Sequence, residues 1–397
     1  MNTVFGLETV HAVLNSVEWY GQCGVRGTWQ AEGMKSVQVV VAPDSFKGTA
    51  SAIEVAGAIA AGWASVRELD ELRLMPMADG GEGTLEAFEV AVPGARRMPV
   101  IVTGPDDRAV DAYWLLLPGG TGVVELANSS GLTLLDPLRP LTAHTHGFGQ
   151  AIAAALDHGV DRLLLALGGS SSTDAGLGAL TALGARATDA AGRAVMPGGL
   201  GLSTVAAVEL GGLRPLPPGG ARILCDVTSP LLGPAGAAAV FAPQKGASLE
   251  QVAALESGLA RFAGFVAVEP QTPGAGAAGG TGFGLLAWGA TMAPGAAAVG
   301  QALGVPGAVA GAAVVITGEG RFDAQSDAGK VPSYLAGLAA DAGARAYLVA
   351  GLIEAGTERF AGAESLTELA GGGAAAMNDP LRWITLAARR LAAAQPA

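Results

Sequence analysis

Residues 37–48, VQVVVAPDSFKG, predict the start of an α/β fold. The apolar, mostly β-branched run from Val37 to Ala42 ends before a proline, as is typical of a buried parallel strand. A polar loop follows, and then a predicted helix over about 51–69 that opens with a Ser-Xaa-Xaa-Glu capping box. A second predicted strand over 72–77 completes a strand–helix–strand pattern, which is typical of a parallel sheet.

The rhythm of predicted elements changes near residue 93 and returns near residue 295. Between these points, short strands joined by Gly, Pro and Asp turns indicate a mixed sheet. We therefore expect a Rossmann-like parallel α/β domain, residues 34–92 plus 296–397, split by a second, mixed-sheet α/β domain, residues 93–295. Residues 1–33 lack this rhythm and the pattern of a signal peptide, so we expect a non-native or disordered N-terminal extension.

Composition excludes several classes of protein. The formal net charge is −12 and no basic patch stands out, which argues against a nucleic-acid binder. Two cysteines are too few for a disulfide framework, so we expect a reducing cytoplasm. Mean hydropathy is high, at +0.41. Even so, the uncharged stretch between Pro270 and Gly318 is rich in Ala and Gly and broken by prolines, so we expect no membrane span.

The segment MADGGEGT (77–84) places two carboxylates, Asp79 and Glu82, around a pair of glycines. A hydrated Mg²⁺ held by carboxylates and nucleotide phosphates would explain them. The alternative is a helix N-cap followed by a first-turn Glu, favoured by the helix dipole. Further contacts to phosphate would come from Gly80, Gly81 and Thr84.

The segment LGGSSSTDAGLG (167–178) follows a predicted strand and precedes a predicted helix over 174–184. Free backbone N–H groups at such a turn bind anions, although a structural role is equally common for a glycine-rich turn. Asp174 is open to three interpretations: an N-cap, a metal-orienting group or a base. The groups expected to contact phosphate are Gly168, Gly169, Ser170, Ser171, Ser172 and Thr173.

Other polar segments also follow predicted strands. Lys47, beside Asp44 and Ser45, would reach a carboxylate or a phosphate as a point charge, or else be a solvated loop residue. The segment ITGEGRFDAQSDAGK (316–330) would let Arg321 clamp an anion through two hydrogen bonds. Its other charged residues of interest are Glu319 and Lys330, and similar pieces place Asp226 at a strand end and Gln244 with Lys245 in a turn.

The histidines of TAHTHGFG (142–149) receive a different interpretation. No acidic or cysteine cluster accompanies His144 and His146 in the sequence, so we expect neither catalysis nor metal binding from them.

Six of these pieces, taken in order, carry a resemblance. The chain resembles the bacterial glycerate kinase family, of the type that includes glyoxylate- and glucarate-pathway enzymes. The segments that carry this resemblance are APDSFKG, PMADGGEGT, LGGSSSTDAGLG, CDVTSPLLGPAGAAAVFAPQKGA, GAGAAGG and ITGEGRFDAQSDAGK. The likeness runs from about Met34 to near the C-terminus. It implies two α/β domains with the active site in the cleft between them, and phosphorylation of D-glycerate, generally to 2-phosphoglycerate, with ATP and Mg²⁺. Residues 1–33 have no counterpart, and His146 stands where the family more often has an aromatic or basic residue.

Under this resemblance the polar segments take roles in phosphoryl transfer. Asp174 is the preferred base, with Asp79 and Lys47 also catalytic. We expect Mg²⁺ to be held by Asp79, Glu82, Asp226 and Glu319, and the nucleotide phosphates to be bound by the two glycine-rich segments with Gln244 and Lys245. The residues expected to bind D-glycerate are Asp44, Ser45, Lys47, Asn128, Arg321 and Lys330.

Alternatives remain at this stage. The product would be 3-phosphoglycerate if the other hydroxyl reacts, or the substrate would be a related small hydroxy acid. A nicotinamide-dependent oxidoreductase would want G-x-G-x-x-G after the first strand, which PDSFKG is not. A non-catalytic carboxylate sensor would not need so many acidic loop residues. Besides D-glycerate and ATP we expect no nucleic-acid or membrane partner, and a monomer or homodimer.

Overall fold

The computed structural model describes residues 36–324 and 330–396. The expected extension over residues 1–33 lies outside this part of the chain. The strands are β1 (Gln38–Val41), β2 (Glu71–Leu74), β3 (Arg96–Thr103), β4 (Ala109–Leu117), β5 (Thr121–Glu125), β6 (Arg162–Ala166), β7 (Arg186–Thr188), β8 (Ala207–Glu209), β9 (Ala221–Leu224), β10 (Thr291–Ala293), β11 (Val314–Phe322), β12 (Arg345–Ile353) and β13 (Gly362–Ser365).

Helices connect and cover these strands. They are α1 (Ala52–Ala64), α2 (Thr84–Ala91), α3 (Ala127–Ser130), α4 (His146–His158), α5 (Leu177–Ala182), α6 (Ala237–Phe241), α7 (Leu249–Ala263), α8 (Ala277–Trp288), α9 (Gly295–Ala302), α10 (Val305–Val309), α11 (Val331–Ala342), α12 (Leu366–Ala370), α13 (Gly373–Asn378) and α14 (Pro380–Ala394). In the described ranges, no helix combines the length and apolarity needed to cross a bilayer.

A parallel sheet has the strand order β13-β12-β11-β1-β2. Its central valines are buried on both faces, as the continuous β-branched run predicts. Val39 and Val41 pack with Ile59 and Trp63 of α1, whereas Val40 belongs to the core on the opposite face. The capping box predicted for α1 is present, since Ser51 and Glu54 exchange hydrogen bonds.

A second sheet has the order β10-β9-β6-β5-β4-β3. The strands β3, β4 and β5 pair antiparallel, and the strands from β5 through β6 and β9 to β10 pair parallel. The predicted α/β class with one parallel and one mixed sheet is therefore confirmed. The parallel sheet takes its strands from both ends of the chain and the mixed sheet from the middle. The division into two domains near residues 93 and 295 stays a prediction.

Four predicted boundaries were wrong. Strand β2 ends at Leu74, three residues before the expected end. Helix α1 ends at Ala64, five residues before the expected end, and helix α5 begins at Leu177, three residues after the expected start. Strand β11 continues to Phe322, because it pairs with β12 as far as Phe322 opposite Ile353. Glu319 and Arg321 therefore lie on a strand and not in a loop.

Candidate active site

The loop after β2 contacts loops of the mixed sheet, and glycines permit the close approach. Gly80 has φ of 86°, and a Cβ there would collide with the backbone of Leu224 at the end of β9. A Cβ on Gly168, after β6, would collide with Gly81 in the same way. Gly168 N also donates a hydrogen bond to Gly80 O at 3.2 Å. The ends of strands from both sheets therefore meet here, where parallel sheets place ligands.

An ion pair joins two loops of the parallel sheet at this meeting point. Lys47 Nζ lies 3.0 Å from Asp79 Oδ2, while Asp79 Oδ1 accepts a hydrogen bond from Gly81 N at 3.0 Å. Burial acts to raise the pKa of Asp79, but Lys47 and Lys330 help to lower it overall. The neighbouring carboxylates of Asp79 and Asp44 raise the pKa of Lys47, whose side chain is exposed. Both groups are therefore charged at neutral pH.

Asp44 and Glu319 complete what we call the acidic cluster, which comprises Asp44, Lys47, Asp79 and Glu319. Asp44 is buried, and that burial raises its pKa to about 8, with further contributions from the charges of Asp79 and Glu319. Lys47 and the N–H of Ser45 oppose this shift. A carboxyl group that holds a proton near neutral pH is suited to proton transfer.

Asp226 adjoins the acidic cluster from the mixed sheet. Its carboxylate accepts hydrogen bonds from Gly295 N at 2.7 Å and Ala296 N at 3.2 Å, at the start of α9. Burial raises the pKa of Asp226 to about 6, and the charge of Asp79 adds to this, whereas Lys330 counteracts it. Asp226 and Lys330 therefore lie within electrostatic reach of Asp79, as expected for residues of one site.

A cavity of about 380 Å³ opens beside the acidic cluster. It is bordered by the loop that follows β1, by the start of α1 and by the start of α2, with Thr133 reaching it from the segment that follows α3. The carboxyl groups of Glu82 and Glu86 also line it, and burial followed by the charge of Glu54 raises the pKa of Glu86. Asp44, Ser45 and Lys47 face the same space. Such a cavity suits a small polar ligand accompanied by cations.

Glu125 is a buried carboxyl group near Glu82 that the sequence did not point out. It ends β5, is buried, and its Oε2 accepts a hydrogen bond from Leu85 N of α2 at 3.0 Å. Burial raises its pKa to about 7, although backbone N–H groups at the start of α2 act against this. The only signal was one acidic residue at the end of an apolar run, GVVELA (122–127). Its partner lies 40 residues away.

The structure argues against Asp174 as the base. The residue is 1% exposed. Its Oδ2 accepts hydrogen bonds from Thr145 N at 2.9 Å, from Thr145 Oγ1 at 2.8 Å and from Gly178 N at 3.2 Å, while Oδ1 accepts one from Gly176 N at 3.2 Å. A carboxylate used in this way stabilises the turn before α5, so the capping interpretation is the one that the geometry favours.

The hydroxyl run beyond Gly169 is also buried, which corrects the expectation that all of it contacts phosphate. Ser170, Ser171, Ser172 and Thr173 are at most 8% exposed. Lys245 is buried beneath them, and its Nζ donates to Ser170 Oγ at 2.8 Å and to Ser172 O at 2.5 Å. Burial lowers its pKa to about 7, and Asp174 offsets this only in part. Lys245 therefore stabilises the loop through these two hydrogen bonds.

Four further residues that we expected to bind substrate or nucleotide either have other partners or are exposed. The guanidinium of Arg321 pairs with Glu354, with Nε 2.8 Å from Oε2, so its assignment as an anion clamp is not supported. Asn128 Oδ1 accepts a hydrogen bond from Tyr113 N at 2.8 Å. Thr84 is buried and donates to Gly81 O at 2.7 Å, and Gln244 is exposed. Asn128 and Thr84 therefore stabilise local structure.

Only some of the carboxylates expected to hold a metal lie close together. Within residues 36–324 and 330–396, no group of three or more His, Cys, Asp or Glu side chains could hold a metal ion. Mg²⁺, however, is usually held by one or two carboxylates together with water and nucleotide phosphates. Burial raises the pKa of Asp226 and the charge of nearby Asp79 raises it further, and added positive charge would relieve this repulsion, so Asp79 and Asp226 fit such a partial site.

The structure corrects one statement about the histidines. His144 does have an acidic partner, because its Nε2 lies 3.2 Å from Asp107 Oδ1. The two residues are 37 positions apart, so no local pattern indicated the contact.

Comparison with known proteins shows the family. The model of the glycerate kinase family matches residues 39–395. The chain belongs to the glycerate kinase family. It is 41% identical over 306 residues to glycerate kinase of Bacillus subtilis. This match covers 75% of this chain and 80% of the relative. It is 40% identical over 313 residues to glycerate 2-kinase of Escherichia coli, which covers 76% and 82%.

A solved structure shares the fold. The structure from Salmonella typhimurium LT2, described as that of a glycerate kinase 2, superimposes with a TM-score of 0.77 at 37% identity. The match covers 91% of this chain and 98% of the Salmonella chain. The resemblance drawn from the sequence is thus confirmed, and membership of the family makes this chain a kinase.

Proposed function

We propose that this kinase transfers the γ-phosphoryl group of ATP to D-glycerate and forms 2-phosphoglycerate. The observation that carries the proposal is the acidic cluster beside a polar cavity, at the place where loops of both sheets meet. Lys47 supplies positive charge there, and the surrounding carboxylates supply groups for a hydroxyl and a metal. The relatives named glycerate kinase and glycerate 2-kinase support the choice of substrate and of the hydroxyl that reacts.

The proposed chemistry is an in-line displacement. A glycerate hydroxyl oxygen forms a bond to the γ-phosphorus, the bond from that phosphorus to the β,γ-bridging oxygen breaks, and ADP leaves. The hydroxyl proton passes to a carboxylate. Asp44 replaces Asp174 in this role, because Asp44 lines the cavity and its pKa of about 8 is near the working pH. Most of the catalysis would come from positioning and charge neutralisation.

Lys47 and Lys330 carry the positive charge in this proposal. Lys47, fixed by Asp79 at 3.0 Å, would meet the carboxylate of glycerate or the transferring phosphoryl group. Lys330, at the start of α11, acts electrostatically on both Asp79 and Asp226. Substituting Lys47 should therefore impair both substrate binding and turnover.

Asp79 and Asp226 are the carboxylates that we expect to hold Mg²⁺, with Glu82 and Glu319 close to the same loops. When bound, the ion would neutralise charge on the β- and γ-phosphates. Gly169 is exposed, and a Cβ added there would lie 3.8 Å from Glu82 Oε2. Because glycine has no side chain, a phosphate could approach the backbone at this position. We further propose a place in organic acid catabolism in the cytoplasm.

The product identifies the reaction. Purified protein with ATP, Mg²⁺ and D-glycerate should release ADP and give the phosphorus spectrum of 2-phosphoglycerate. The spectrum of 3-phosphoglycerate would instead show that the other hydroxyl reacts. Binding of D-glycerate without ADP release, under conditions where a known glycerate kinase is active, would favour the non-catalytic sensor.

A further inference from the structure

A second cavity, of about 430 Å³, lies beside the start of α4 and α5 and shares no lining residue with the cavity at the acidic cluster. Most of its wall is apolar and includes Leu177, Val195 and Pro197. Met196, which is exposed, lies at its edge. Such a space suits a flat, largely apolar group better than it suits a small anion.

Two imidazole rings form the polar part of this cavity. His144 Nδ1 accepts a hydrogen bond from His146 N at 3.3 Å, so the proton of a neutral His144 ring is on Nε2, which faces Asp107 Oδ1 at 3.2 Å. Asp107 lies in a turn with φ of 69°, in the left-handed region that Asp adopts more readily than most non-glycine residues. The orientation of His144 is therefore fixed.

His146 presents a different edge to the cavity. The ring is half-buried, and burial together with neighbouring His144 lowers its pKa, so the ring is neutral near pH 7. Its Nδ1 lies 3.5 Å from Thr181 Oγ1. The ring also forms a hydrogen bond with the backbone of Gly178. A neutral aromatic ring in a cavity wall can stack on a heterocycle.

Residues in and next to the wall of the second cavity hydrogen-bond to the glycine- and serine-rich loop, residues 168–174, which does not itself line the cavity. Thr145, which precedes His146, donates two hydrogen bonds to Asp174 at the far end of the loop. Gly178 lines the cavity and donates a third. The near end of the loop contacts Gly80 beside the acidic cluster. One loop therefore connects the surroundings of the two cavities.

We propose that this second cavity binds the nucleobase of the phosphoryl donor, with the phosphates directed toward the acidic cluster. The inference rests on the proposed function. The cavity at the acidic cluster is a poor site for a base, because Glu54, Glu82 and Glu86 line it. Arg186, exposed among the residues lining the second cavity, supplies positive charge for the anionic nucleotide.

Filling the cavity tests the proposal. Ala194 lines it and is exposed, so Ala194→Trp occupies the space without entering a core. Ala191→Trp is the matched control, because Ala191 is exposed on the same turn and does not line the cavity. Calorimetry would measure the affinity of each full-length protein for MgATP and for inorganic tripolyphosphate. The wild type should bind MgATP at least about tenfold more tightly than tripolyphosphate, as expected when a base stacks.

The Ala194→Trp variant should lose this tenfold preference while its affinity for tripolyphosphate stays unchanged, and Ala191→Trp should behave as the wild type. His146→Ala should lose a similar factor for MgATP alone, and it carries the test if the Trp variant does not fold. Wild-type ATP affinity in both Ala194→Trp and His146→Ala overturns the nucleobase site, even when the wild type forms ADP from D-glycerate. A wild type that neither binds ATP nor forms ADP overturns the proposed function, and the nucleobase site with it.

Discussion

Lys47 Nζ lies 3.0 Å from Asp79 Oδ2, so a cation from the loop after β1 pairs with a carboxylate from the loop after β2. The charge of Lys47 helps to keep Asp79 ionised in spite of its burial. In return, Asp79 holds the ammonium group at the edge of the cavity where we place the substrate.

Replacing Lys47 by Met should remove this positive charge. We expect kcat/KM for D-glycerate to fall by about 10²- to 10³-fold, as when one electrostatic contact to a transition state is removed. Lys47→Arg keeps the charge and should retain more activity than Lys47→Met. Steady-state kinetics of the two variants, with circular dichroism to verify folding, measure the effect. Equal activity of Lys47→Met and wild type would contradict the proposed role.

The activity should depend on the ionisation of Asp44. Because its pKa is about 8 in the free protein, kcat/KM should rise with pH up to about 8 and then level off if Asp44 accepts the hydroxyl proton. Asp44→Asn should abolish this rise together with most of the turnover. A wild-type profile that is flat between pH 6 and 9 would exclude Asp44 as the base.

Glu125 should make stability depend on pH in the opposite sense to most carboxylates. Its pKa is raised from 4.5 to about 7, so its favourable contribution is complete below pH 4.5 and is lost as the pH rises through 7. Relative to Glu125→Gln, the wild type should lose on the order of 2 to 3 kcal/mol of unfolding free energy between pH 5 and pH 8. Denaturant unfolding of both proteins at the two pH values measures this difference. A difference that stays constant would contradict the shift.

Asp174→Asn should weaken the fold more than the chemistry. An amide has one acceptor oxygen where the carboxylate has two, so some N–H groups of Thr145, Gly176 and Gly178 lose their acceptor. We expect a loss of about 1 to 3 kcal/mol in unfolding free energy. Asp341→Asn, at an exposed position on α11, is the control and should change stability by less than about 0.5 kcal/mol. Unchanged stability of Asp174→Asn with a large loss of turnover would restore Asp174 as a candidate base.

The sequence predicted those features that depend on neighbouring residues. The valine run of β1, its following loop and the capping box of Ser51 and Glu54 all rest on contacts within a few positions. The loops that carry Asp44, Lys47 and Asp79 were also identified, because carboxyl ends of parallel strands collect ligands. Their convergence with Glu319 then follows from the order of the strands, because β1 lies between β11 and β2.

Long-range contacts decided the features that the sequence did not predict. Asp174 has the pattern of a catalytic loop residue, but Thr145, 29 positions away, takes up its carboxylate. Glu125 meets Leu85 across 40 positions, and Lys245 meets Ser170 across 75. Two glycines near Glu319 favoured a loop, yet pairing with β12 extends β11 through them. Such partners are set by tertiary structure, which a local pattern does not contain.

The central claim is that the acidic cluster supports phosphoryl transfer to D-glycerate. The most direct measurement is phosphorus NMR of the products that wild type and Asp79→Asn form from ATP, Mg²⁺ and D-glycerate. We predict ADP and 2-phosphoglycerate from the wild type, and turnover lower by at least about 10²-fold from a folded Asp79→Asn. No phosphorylated glycerate from the wild type, or equal rates from the two proteins, would contradict the claim.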